Sequence, residues 1–68
     1  MPSYIVNRNS QPNGDHEVHK LSCTRLPDPA NRMPLGEHAS CSTAVAKAKK
    51  TYPTADGCAY CSPACHKR

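Results

Sequence analysis

Tyr4, Ile5 and Val6 make the first apolar cluster of the chain, and a loosely alternating stretch from His16 to Leu21 makes the second. Both carry strand-forming residues, and Asn13-Gly14 between them is a hairpin signal, because these residues tolerate the positive φ of a primed two-residue turn. With those two residues as the loop, Pro12 lies opposite Asp15, Arg8 opposite His19, Val6 opposite Leu21 and Tyr4 opposite Cys23. That register places Tyr4, Val6, His19, Leu21 and Cys23 on one face. From Thr24 to Glu37 the pattern breaks up, and Pro27, Pro29, Pro34 and Gly36 predict an ordered loop in place of a ladder or long helix. One helix follows, with Ser40 or Ser42 at its start, Pro53 as its stop and an apolar stripe of Cys41, Val45, Ala48 and Tyr52 at helical spacing. Lys47, Lys49 and Lys50 lie largely off that stripe, so the stripe is expected to face the hairpin. The tail from Ala55 to Arg68 returns to turn residues. The fold expected is α+β, a β-hairpin packed against one helix with irregular loops, as a single domain over 1–68.

Composition adds an energetic constraint. A chain of 68 residues with no Phe, no Trp and seven prolines has few large apolar side chains to bury. Ordering each residue costs about 1–2 kcal/mol of backbone entropy, while burying a large aliphatic side chain returns about 1.5–3 kcal/mol, so such a chain needs a staple. Five cysteines and four histidines can supply it. The N-terminus lacks an apolar run long enough for a signal peptide and nothing approaches a membrane span, so the expectation is a soluble cytoplasmic monomer. Thiols stay reduced there, and an odd cysteine count leaves one unpaired in any case, which favours metal over disulfides.

Two pairs point to a zinc ion, His19-x3-Cys23 and Cys58-x2-Cys61. A Cys-x2-Cys turn aims both sulfurs at one metal, with Gly57 giving the chain freedom to bend before it. The first pair needs a break in the strand, since four residues of straight strand span about 13 Å; a turn near Leu21-Ser22 provides it. Cys41, on the inward stripe of the helix, reads as a small buried hydrophobe, a rival ligand to His19 or a disulfide partner. Cys65 or His66 can also complete the site, and under oxidising conditions Cys65 can pair with Cys41. His16 and His38 read as surface residues, His16 with an option of supporting the metal ligands.

Nine basic against five acidic residues give a net charge of +4. Zinc with three thiolates contributes about −1, leaving a mildly basic module that permits nucleic acid or an acidic protein as partner. The basic residues Arg8, Lys20, Arg25, Arg32, Lys47, Lys49, Lys50, Lys67 and Arg68 are scattered, without aromatic interleaving. No paired carboxylates, phosphate loop or triad appears, and a cysteine-rich set suggests a closed metal site, so an enzyme is not expected.

The order His19-x3-Cys23, loop, helix with small inward residues, Gly57-Cys58-x2-Cys61 resembles the small zinc modules related to the Ada DNA-repair metal-binding domain. The whole chain also resembles short bacterial proteins of unknown function that carry Asn-Gly-Asp-His-Glu-Val-His, here Asn13 to His19, and a Cys-x3-Cys-His end, here Cys61 to His66. The Ada-like resemblance implies a compact strand, strand, helix, zinc arrangement with a structural or DNA-associated role. Ada itself uses four cysteines, one of which accepts a methyl group; His19 stands in the first ligand position here, so methyl transfer is not implied. The reading that results is a structural-zinc binding module, with a thiol-based redox protein using Cys41 and Cys65 as the alternative.

Overall fold

A computed structural model describes residues 1–67. Four strands, β1 (Ser3–Asn7), β2 (His16–Lys20), β3 (Arg32–Glu37) and β4 (Ala55–Gly57), form one mixed sheet in the order β3-β1-β2-β4. β1 pairs antiparallel with both β2 and β3, and β2 pairs parallel with β4. The helix α1 (Cys41–Ala48) lies against one face, and two short 3-10 turns, Pro29–Asn31 and Pro63–Cys65, begin at prolines. The protein is a small α+β fold with irregular loops, and the expected hairpin is its centre.

The hairpin register differs from the one the Asn-Gly pair predicts. Val6 faces Val18, Ile5 faces His19 and Tyr4 faces Lys20. Pro12 is the cause. Its fixed φ suits the second position of an ordinary turn, and the Gly14 N–H donates to the Gln11 carbonyl at 2.8 Å, so Asn13 is third and Gly14, at φ +91°, is last. The Asn7 side chain accepts from the Asn9 amide at 2.9 Å and ends β1 early. Val6 therefore meets Val18 in place of Leu21, an odd offset of three that exchanges faces. Tyr4, Val6 and Val18 point into the core under α1, whereas His19 and Ile5 share the reverse face and Leu21 is left exposed.

Two strands arise where turn chemistry suggested none. β3 contains Pro34, which an edge strand tolerates because one side of its backbone needs no partner. Its ladder to β1 is bulged between Gly36, opposite Tyr4, and Pro34, opposite Ile5, so Leu35 is the extra residue. Gly36, at φ +82°, permits the bulge, and Leu35 turns into the core at 1 % exposure. The Leu35 carbonyl accepts from Lys47 Nζ at 3.1 Å and faces His38 Nε2 at 2.8 Å. His38 is thus a half-buried brace at the strand-to-helix corner, with its ring edge-on to Tyr4, and not a plain surface residue.

The helical stripe is as expected, with Ala44, Val45 and Ala48 buried and Cys41 and Tyr52 packed beside them. Regular helix stops at Ala48, and Tyr52 closes a last turn by donating to the Ala48 carbonyl at 2.8 Å. Ser40 occupies the cap position with extended backbone, its hydroxyl bonded to that of Ser42. His16 stacks on Tyr52 with centroids 4.0 Å apart and has Nδ1 2.9 Å from the Asn7 carbonyl, which holds it away from the cysteines.

Candidate metal centre

β2 and β4 run parallel, so the chain leaves both at the same end of the sheet. The Cys58 amide continues the pairing by donating to the Val18 carbonyl at 2.9 Å, which places Cys58 beside His19. A turn closed by the Cys23 amide on the Lys20 carbonyl, 3.0 Å, swings Cys23 back toward the same point; this is the break near Leu21-Ser22 that the His-x3-Cys spacing requires. The Ser62 amide donates to the Cys58 carbonyl at 2.8 Å and curls Cys61 inward.

His19, Cys23, Cys58 and Cys61 thereby bring one ligand atom each to a common point, all within 4.8 Å of one another. Cys23 Sγ and Cys58 Sγ are 4.0 Å apart, and Cys61 Sγ is 3.9 Å from His19 Nδ1. Tetrahedral bonding to zinc at about 2.3 Å to sulfur and about 2.0–2.1 Å to nitrogen puts ligand atoms about 3.6–3.8 Å apart, whereas a disulfide needs sulfurs about 2.0 Å apart. The spacing fits a shared ion and not a bond between the thiols. The group can hold a metal ion.

Hydrogen bonding matches that chemistry. Each sulfur receives a backbone amide at 3.4 Å: Cys23 from Arg25, Cys58 from Tyr60 and Cys61 from Lys20. Amide hydrogen bonds to the sulfurs are compatible with metal-bound cysteine and fix the direction in which each side chain points. His19 is almost wholly enclosed, and burial pushes its imidazole below the ordinary 6.5 while the Glu17 carboxylate pulls the other way. A neutral imidazole is the ligating form. Glu17 Oε1 lies 3.6 Å from Nε2, and the ring's other nitrogen, Nδ1, lies 3.9 Å from Cys61 Sγ, so Nδ1 is the nitrogen on the sulfur side. Glu17 was not singled out from sequence, though its position two residues before His19 on one strand puts both on the same face.

The rival ligands are engaged elsewhere. Cys41 and Cys65 form a disulfide with Cα atoms 6.2 Å apart, joining α1 to the tail. His66 Nδ1 sits 3.2 Å from the Asp56 carboxylate and 3.0 Å from the Gly57 carbonyl. Asp56 is buried and also accepts from the Lys67 amide. Gly57 has a different task from the bending expected of it: its φ is unremarkable, but a Cβ there would stand 2.6 Å from Cys65 Cβ and 2.9 Å from the Ser62 carbonyl. Bare backbone at 57 lets the disulfide turn pack directly beside the first cysteine of the pair. Among the described residues no helix is long and apolar enough to cross a membrane. Arg68, counted among the basic residues, lies outside the described residues.

The chain matches no protein-family model, no curated protein and no solved structure.

Proposed function

We propose that this protein is a zinc-stapled binding module in which the ion, held by His19, Cys23, Cys58 and Cys61, serves folding. The observation that carries the reading is the convergence of one imidazole and three amide-bonded sulfurs within 4.8 Å. Three sulfurs and one nitrogen are the donor set of a closed structural zinc site, which has no position left for a substrate once all four bind. Structural zinc contributes about 10–16 kcal/mol of apparent binding energy in small peptides, enough to offset a core of this size. A net charge of +4 supports an anionic partner, nucleic acid or acidic protein, for a monomer; the Cys41–Cys65 disulfide departs from the reduced thiols expected of the cytoplasm, where the pair would stand as two thiols. The test is a strong chelator under reducing conditions: collapse of amide dispersion and circular dichroism is expected, and their survival would rule out zinc as the staple.

The Cys41–Cys65 disulfide favours a second reading, a redox-responsive protein. A dithiol reductant supplies two electrons and two protons, opens the S–S bond into two thiols and is itself oxidised to a disulfide. In a reducing cytoplasm the metal would then be the one remaining cross-link. Redox function predicts a change in partner affinity on reduction with metal still bound; a pure binding module shows none.

A further inference from the structure

This inference rests on the metal-stapled reading and assigns its partner surface. Among the described residues, the large apolar side chains most open to solvent are Met1, Leu21 at 50 % and Tyr60 at 68 % exposure. Leu21 and Tyr60 lie on the turns that carry the cysteines, one between Lys20 and Cys23 and the other between Cys58 and Cys61. Tyr4 and Tyr52, by contrast, pack in or against the core, so Tyr60 is the aromatic ring that folding does not use. The Arg25 guanidinium lies over it, 4.0 Å from the ring centroid. Both partners are rooted in the metal centre, because the Arg25 amide donates to Cys23 Sγ and the Tyr60 amide to Cys58 Sγ. The pair is therefore held in place before any partner arrives.

An open aromatic ring with a guanidinium on it suits a nucleobase, since every base offers a π-face and arginine adds a second stacking plane and a charge for phosphate. A duplex keeps its base faces covered, so the matching ligand is unpaired. An acidic peptide would engage Arg25 but gain little from the uncharged ring. The helix is a weaker interface than its lysines suggest, because Lys47 is committed to the Leu35 carbonyl. We propose that Arg25 and Tyr60, anchored on the metal-binding turns, form a stacking platform for unpaired bases of single-stranded nucleic acid.

The test is anisotropy of a labelled oligothymidylate titrated with zinc-loaded protein, with metal occupancy of every sample read by native mass spectrometry. Tyr60→Ala is expected to weaken binding by about fivefold to 150-fold, the range for losing one base stack. Tyr60→Phe should keep the affinity, Arg25→Ala should weaken it, and Lys49→Ala with Lys50→Ala should leave it unchanged. With one or two phosphates engaged, raising salt from about 50 to about 200 mM should cost only about three- to sevenfold. Metal-loaded wild type that does not bind the oligonucleotide, or metal-loaded Tyr60→Ala that binds as tightly as wild type, would overturn the platform. Metal-free wild type that still binds through Tyr60 would support the platform and overturn the zinc-stapled reading.

Discussion

The sheet has two unlike regions, an apolar side under its helix and a polar end where the His/Cys group gathers. Under α1 the contacts are apolar, Tyr4, Val6, Val18, Leu35, Ala44, Val45 and Ala48, with the Cys41–Cys65 disulfide tying helix to tail. At the end of β2 and β4 the interior is polar, and His19 enters it from the face opposite α1 beside three thiols. The apolar side is small but complete without further ligands. The polar end gathers four ligand-type atoms within 4.8 Å, with Cys23 Sγ and Cys58 Sγ 4.0 Å apart, and a metal ion bound there would cross-link it. The two share one segment, since Cys58 and Cys61 belong to the metal centre and Cys65, four residues after Cys61, to the disulfide. In the metal-stapled reading, a shortage of apolar side chains is met by two cross-links on one tail, the disulfide and the ion.

Removing them one at a time tests that division. The largest effect belongs to the metal: Cys58→Ser should unfold the chain, since losing a thiolate ligand forfeits much of a staple worth about 10–16 kcal/mol, and the check is loss of amide dispersion. Replacing Cys41 and Cys65 together by Ser should cost less, about 3.5 kcal/mol for opening a loop closed across 24 residues; zinc-loaded protein should stay folded with a lower urea midpoint. Gly57→Ala strikes where the two regions touch. A methyl 2.6 Å from Cys65 Cβ has backbone on the other side and a disulfide restraining retreat, so destabilisation of about 1–3 kcal/mol is expected from denaturant titration. The mildest perturbation is acid. The folded His19 imidazole resists protonation because it is buried, whereas the unfolded chain takes up a proton near the ordinary 6.5. The unfolded state thus binds more protons below that pH, and the stability of zinc-loaded protein should decline as pH falls below 6.5, which unfolding midpoints across a pH series will show.

The convergence of His19, Cys23, Cys58 and Cys61 was more legible in the sequence than the sheet that carries it. His19-x3-Cys23 and Cys58-x2-Cys61 are local spacings, each closed by a turn within the pair, so their geometry can be reasoned out without tertiary information. The helix was legible for a similar reason, because its stripe repeats at a regular interval. Register was not. The Asn13-Gly14 signal ignores that Pro12 sets the turn one residue earlier, and an error of three residues misplaced His19, Leu21 and Val18 relative to the core. β3 was hidden because proline excludes a central strand yet suits an edge, and the bulge at Leu35 breaks the alternation that marks a strand. β4, only Ala55–Gly57, has no large apolar side chain and exists through its pairing with β2. The fate of Cys41 and Cys65 is likewise tertiary, set by how the tail returns to the helix.

The most direct test of the central claim is intact mass under native and denaturing conditions, without reductant, on protein expressed with zinc available. One zinc per chain in the native spectrum, lost on denaturation to leave a mass lower than the fully reduced chain by the two hydrogens of the Cys41–Cys65 disulfide, is the result expected. A native protein that carries no metal and is lighter by a further pair of hydrogens would mean that the tetrad cysteines are joined to each other, and would contradict the metal-stapled account.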